Sequence, residues 1–181
     1  ASKDKPVRFY AVTGAPLMIN LFRDPDFIYN SDITFQNRNS GGDEYFREQG
    51  KLLDISGHPV WEGKFIKNVE NVELPLFESM GRGHRILNLA LSGNTMEAHI
   101  SEFASGTYKK AHSTAYGAQI IILSGEGYSL LWAEGQPKQR VDWHAGSILA
   151  PLPIPWYHQH FITGSKDARQ LAVRWGGKRY S

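Results

Sequence analysis

Cysteine is absent from the 181 residues, which excludes disulfides, thiolate metal ligands and cysteine nucleophiles together. Stability must come from packing, and any metal would need imidazole, carboxylate or amide ligands. Long apolar runs are missing too. Ile120–Leu123, among the longest, falls far short of the roughly 20 residues that a membrane helix needs. The opening ASKDKPVRFY lacks the apolar core of a signal peptide, and no Asn-x-Ser/Thr sequon occurs. Neither sign of charge dominates: 20 Lys and Arg stand against 18 Asp and Glu, without blocks. A net +2 makes no electrostatic case for nucleic acid. The expectation is a soluble, cytoplasmic protein with neither membrane nor nucleic-acid partner.

Helical periodicity is also scarce. No segment keeps apolar residues at i, i+3, i+4 and i+7 for three turns, and Asp43–Gln49 is the one short helical candidate. What the chain has instead is turn chemistry, with 18 Gly and 9 Pro. From Arg85 onward, apolar runs follow at even spacing: RILNLAL, MEAHISEF, KKAHST, QIIILS, GYSLLW, QRVDW, SILA, WYHQHFI and RQLAVRW. Turn residues such as SGN, SGEG, HAGS and TGSKD separate them. This spacing, without intervening helices, predicts an all-β sandwich or barrel over residues 86–181.

Residues 1–85 carry more punctuation and fewer clean alternations. They read as an extended arm with short strands at Phe27–Tyr29, Ile33–Phe35 and Phe65–Val69, packed on or across the barrel. Phe22, Phe27, Tyr29, Phe35, Trp61, Phe65 and Phe77 are expected to be buried there. PVRFYAVTGAP near the start echoes ARQLAVRWGG near the end. The echo suggests that the chain opens with the last strand of a preceding barrel.

Two histidine patterns stand out. A strand period of two puts Tyr108, Lys110, His112 and Thr114 on one face, and His158 and His160 on another. Imidazoles from two such strands are able to converge on one ion inside a small barrel, and imidazole suits Fe, Cu, Ni and Zn. His58, His84, His99 and His144 lack such partners and read as surface or structural residues. Glu126 and Asp142 read as turn caps.

These strands carry a family resemblance. Gly106, five residues, His112 and a closing Gly125 resemble the first motif of the cupins. Gly146 and the string Pro153 through His158 resemble the second. Segments outside the barrel, among them AVTGAPLMINLFRDPDFIYN and VELPLFESMG, resemble the C-terminal half of bicupins labelled ethanolamine ammonia-lyase-activating protein. A weaker likeness is to the gentisate dioxygenase type.

The resemblance implies a double-stranded β-helix, or jelly-roll, barrel around one divalent transition metal. Iron or manganese is favoured, with copper, nickel or zinc as alternatives. The implied ligands are His112 and His158, with His160 and Gln119 as further candidates. Tyr108, Lys110, Thr114, Trp132 and Trp156 are the candidate substrate contacts. Three departures weaken the site. Thr114 replaces the second motif histidine, neutral Gln119 stands where glutamate is usual, and Ile162 replaces the final asparagine. Fewer ligands and less anionic charge lower metal affinity. One expectation is therefore a mononuclear non-haem oxidoreductase, dioxygenase-like, acting on a small organic molecule such as an aromatic one. The other is a degenerate, non-catalytic lobe for dimerisation or small-ligand binding. A homodimer, or pairing with a preceding cupin half, is expected under either.

Overall fold

The computed structural model describes residues 6–7, 9–33, 50–93 and 95–176. The chain divides into two compact units, residues 1–34 and 35–181.

In the first unit, α1 spans Ala15–Phe22 and α2 spans Pro25–Tyr29. Asp24 caps α2, its carboxylate accepting from the amides of Asp26 and Phe27 at 3.0 and 3.1 Å, and Pro25 opens the first turn. This cap overrides the strand propensity of Phe27–Tyr29, so the expected strand is a helix. The expected burial fails here as well. Phe22 and Phe27 meet at a tilt with ring centroids 4.9 Å apart, yet stay 43% and 45% exposed. Residues 9–14, the strand-like echo, belong to no strand. The strand expected at Ile33–Phe35 lies outside the described residues beyond Ile33, as does the helix expected at Asp43–Gln49.

Among the described residues, the second unit holds ten strands. They are β1 Lys51–Ile55, β2 His58–Gly63, β3 Arg85–Leu91, β4 Met96–Phe103 and β5 Gln119–Ser124. Then come β6 Glu126–Ala133, β7 Gln139–His144, β8 Ile148–Leu149, β9 Trp156–Ile162 and β10 Ala168–Trp175. They form a seven-stranded sheet, β1-β2-β3-β4-β10-β5-β8, and a three-stranded one, β7-β6-β9. The expected barrel is thus two sheets without a closed hydrogen-bonded ring. Phe103, Ile120, Ile122, Leu149, Ala168 and Ala172 of the larger sheet pack against Trp143 and Ile162 of the smaller. The three motif glycines sit at turns that need a left-handed backbone, with φ of 72° at Gly106, 80° at Gly125 and 89° at Gly146. Gly125 has a further constraint. It joins β5 in one sheet to β6 in the other, and a Cβ there would lie 2.7 Å from the Ala168 Cα.

The larger sheet is buried on its outer face too. Leu87, Leu89 and Ile100 pack with Leu74, Ile66, Val69 and Val72. Phe65–Val69, expected to be a strand, is irregular chain in this covering segment. Arg169 fastens it. The guanidinium pairs with Glu102 at 2.9 Å and donates to the carbonyls of Val69, Glu70 and Val72. Its aliphatic length reaches what a strand register would otherwise have supplied. The β1–β2 hairpin was not anticipated; its two-residue turn, Ser56-Gly57, has φ of 54° and 76°, suited to a primed hairpin turn. Among the described residues, no helix is long and apolar enough to cross a membrane.

Candidate functional site

Strand alternation selects what faces the space between the sheets. Ile86 and Asn88 of β3, His99 of β4, Ile120 of β5, and Ala172 and Arg174 of β10 line one wall of a cavity of about 360 Å³. His158 of β9, Lys109 and His112–Ala115 line another, and Phe77, Ser79, Met80 and His84 form the rim. His99 and Arg174 come from neighbouring strands, β4 and β10, which pair Ala172 with His99 and Arg174 with Glu97.

Residues 108–112 do not form the regular strand that the sequence suggests. They touch β9 through two isolated bridges, Tyr108 to Phe161 and His112 to His158. Four steps on one side match three on the other, which is the signature of a bulge. The extra residue flips the alternation between the two bridges. Lys109, only 8% exposed, therefore shares the cavity with His112, while Lys110 is exposed and donates from Nζ to the Ser79 carbonyl at 3.0 Å.

Burial disfavours the charged form of five imidazoles, those of His84, His99, His112, His158 and His160. Burial, with Lys109 second, lowers the pKa of His84 and of His112 to about 4. Burial, then His112 and Lys109, lowers that of His158 to about 3. His99 and His160 are also pushed well below the ordinary value, burial being the main cause. Two tautomers follow from geometry. His84 Nδ1 and His112 Nδ1 each lie 2.9 Å from a carbonyl oxygen, of Phe77 and of Lys110. Each nitrogen must donate there, so the lone pair sits on Nε2. His84 Nε2, His99 Nδ1, His158 Nδ1 and Thr114 Oγ1 are buried without a partner.

Lys109 is the unusual cation. Burial, with Arg174 second, lowers its pKa to about 8. Nearby, Arg174 pairs with buried Glu97 at 2.8 Å, so that carboxylate is already engaged.

Of the nine candidates from the sequence, three line this cavity: His112, His158 and Thr114. The other six lie elsewhere. His160 is fully buried, its Nδ1 sharing a 2.7 Å hydrogen bond with Ser129 Oγ, which also accepts from Trp143 Nε1 at 2.9 Å. Gln119 is exposed, because Ile120 and Ile122 take the inward positions of β5. Tyr108 and Lys110 border a separate surface hollow with Arg82 and Glu78. Trp132 stacks on Tyr157 at 5.7 Å, on the β6 face opposite buried Ser129, and Trp156 is half-buried at the start of β9. Sequence reasoning missed His84, His99, Lys109 and Arg174. A signal existed for His99: Glu97, His99 and Ser101 alternate with apolar Met96, Ala98 and Ile100.

The donors present do not complete a cupin metal set. Among the described residues, no three His, Asp or Glu side chains converge as metal ligands. Thr114 and Gln119 replace two expected donors, and two cations, Lys109 and Arg174, share the cavity.

No protein-family model and no curated protein sequence matches the chain. Solved structures do. A predicted oxalate decarboxylase from Thermotoga maritima matches with a TM-score of 0.51 and 18% identity, over 62% of this chain and 100% of that one. A cupin 2 conserved barrel domain protein from Rhodopseudomonas palustris matches at 0.48 and 18%, over 59% and 73%. An oxalate decarboxylase from Lactobacillus farciminis matches at 0.49 and 16%, over 57% of this chain but 31% of that one. At such identities a match speaks to architecture and not to chemistry. With two facing sheets, motif glycines at its turns and the match to the Thermotoga maritima structure at a TM-score of 0.51, the chain has a cupin-like fold.

Proposed function

We propose that the cavity between the sheets binds a small organic molecule. The observation that carries this reading is the set of buried, unpartnered polar atoms around it: His84 Nε2, His99 Nδ1, His158 Nδ1 and Thr114 Oγ1. Buried polar atoms are nearly always paired in folded proteins, so four around one cavity point to a ligand that pairs them. The test is differential scanning fluorimetry of the full chain against small acids, amides and alcohols. A ligand of the native state raises the melting temperature, and His158→Ala with Thr114→Val should cancel that rise. If no compound raises it, the reading fails.

A second reading keeps a divalent metal, iron or manganese before copper, nickel or zinc, at His112 and His158. Their ring centroids lie 4.2 Å apart, and the His112 tautomer leaves its Nε2 lone pair free. Such a metal would supply a Lewis-acidic or redox centre for dioxygenase-like chemistry. Elemental analysis after incubation with each ion decides. Near one ion per chain, lost in His112→Ala and in His158→Ala, would support this reading, and no bound ion would end it.

A further inference from the structure

We infer that the cavity takes an apolar monocarboxylate, whose carboxylate group is anchored by Lys109. The inference rests on the small-molecule reading above and names its ligand class.

Three observations carry it. First, Lys109 lines the cavity at 8% exposure, and among the described residues no carboxylate or hydrogen-bond acceptor pairs with its ammonium group. Its Nζ lies 5.7 Å from the centroid of the Phe103 ring, a contact that does not replace an anion. Buried ammonium groups are costly unless paired, so this one needs a counter-charge. Second, the charge around the cavity is short by one anion. Lys109 and Arg174 supply two positive charges, and Glu97 supplies one negative charge already bound to Arg174. A single carboxylate balances that count; a phosphate dianion would overshoot it. Third, Phe77, Met80, Ile86, Ala118, Ile120 and Ala172 give the cavity an apolar stretch, beside the polar Ser79, Asn88 and Ser113. This suits a hydrocarbon body behind the charged head, and Thr114 and the imidazoles are placed to hydrogen-bond further oxygens.

The experiment compares acids with their neutral amides of equal shape: acetate, butyrate, benzoate and phenylacetate against the corresponding amides. Affinities are measured by calorimetry and saturation-transfer NMR on the full chain, near neutral pH with a chelator present. The expected result is that at least one acid binds about tenfold or more tightly than its amide, and that Lys109→Met abolishes this ratio. Equal binding of acid and amide would overturn the anchor while leaving the cavity a ligand site. Binding of no acid and no amide would overturn both readings. An acid that binds only when the chelator is omitted would place the carboxylate on a metal and also refute the Lys109 anchor. Should Lys109→Met fail to fold, the acid-to-amide ratio of the unaltered protein decides alone.

Discussion

His112 and His158 face each other across a two-residue bridge, each amide donating to the other's carbonyl, at 3.1 Å from His112 and 2.9 Å from His158. This non-local pairing sets the two rings 4.2 Å apart, although 45 intervening residues separate them in the chain. Neither ring is tied to a carboxylate, so burial acts on both without compensation. Acid sensitivity follows.

Histidine pKa values depressed in the fold mean that the unfolded chain takes up protons that the native state refuses. For His84, His112 and His158 this occurs between the ordinary value of 6.5 and about 3 to 4. Stability therefore falls as pH drops through that window and is fully present above it. The metal-free protein should lose about 10 °C of melting temperature between pH 7 and pH 5, seen by scanning calorimetry. A flat profile over that range would contradict the burial of these rings.

Lys109 follows the same charge logic at higher pH. Its depressed value of about 8 against 10.5 unfolded penalises the native state below pH 8, and the penalty is relieved as pH rises towards 10.5. Replacing the unpaired ammonium by Lys109→Met should raise stability by about 1–3 kcal/mol at pH 7 in urea denaturation. Such a gain at a residue argued to hold ligand is the usual exchange between stability and function. A clear loss of stability would show that the ammonium has a partner.

Ser129→Ala tests the polar node beneath the cavity. The hydroxyl accepts from Trp143 and meets His160, and both rings are buried. Its removal strands an indole N–H and an imidazole nitrogen, at a cost of about 2–3 kcal/mol. Chemical denaturation should register this, and Ser129→Thr should restore part of it if the methyl is accommodated.

Arg169→Ala should release the covering segment from the larger sheet. Three backbone carbonyls and Glu102 lose one shared donor. The expected cost is about 2–3 kcal/mol, and hydrogen exchange should speed up around residues 66–74 more than in β6 or β9. Uniform acceleration would mean that the segment has no separate anchorage.

Local signals carry much of this architecture. Runs such as RILNLAL, MEAHISEF and QIIILS coincide with β3, β4 and β5, because alternation and turn glycines act over neighbouring residues. Other local signals are as short and sit in the first half of the chain. RDPD is a helix cap at Asp24, and DISGHP is the tight turn between β1 and β2.

By itself, the chain's amino-acid order determined the all-β character, the motif glycines at their turns, the lack of thiol chemistry, and the loss of two expected metal donors to Thr114 and Gln119. The cavity's membership was decided in three dimensions. One bulge between the Tyr108 and His112 bridges turned Lys109 inward and Lys110 outward, and a strand period of two has no means of locating such an insertion. His84 and His99 joined His112 and His158 because distant strands and a rim loop enclose one space. Spacing along a chain records neighbours within a strand; which strands share a wall depends on packing between them.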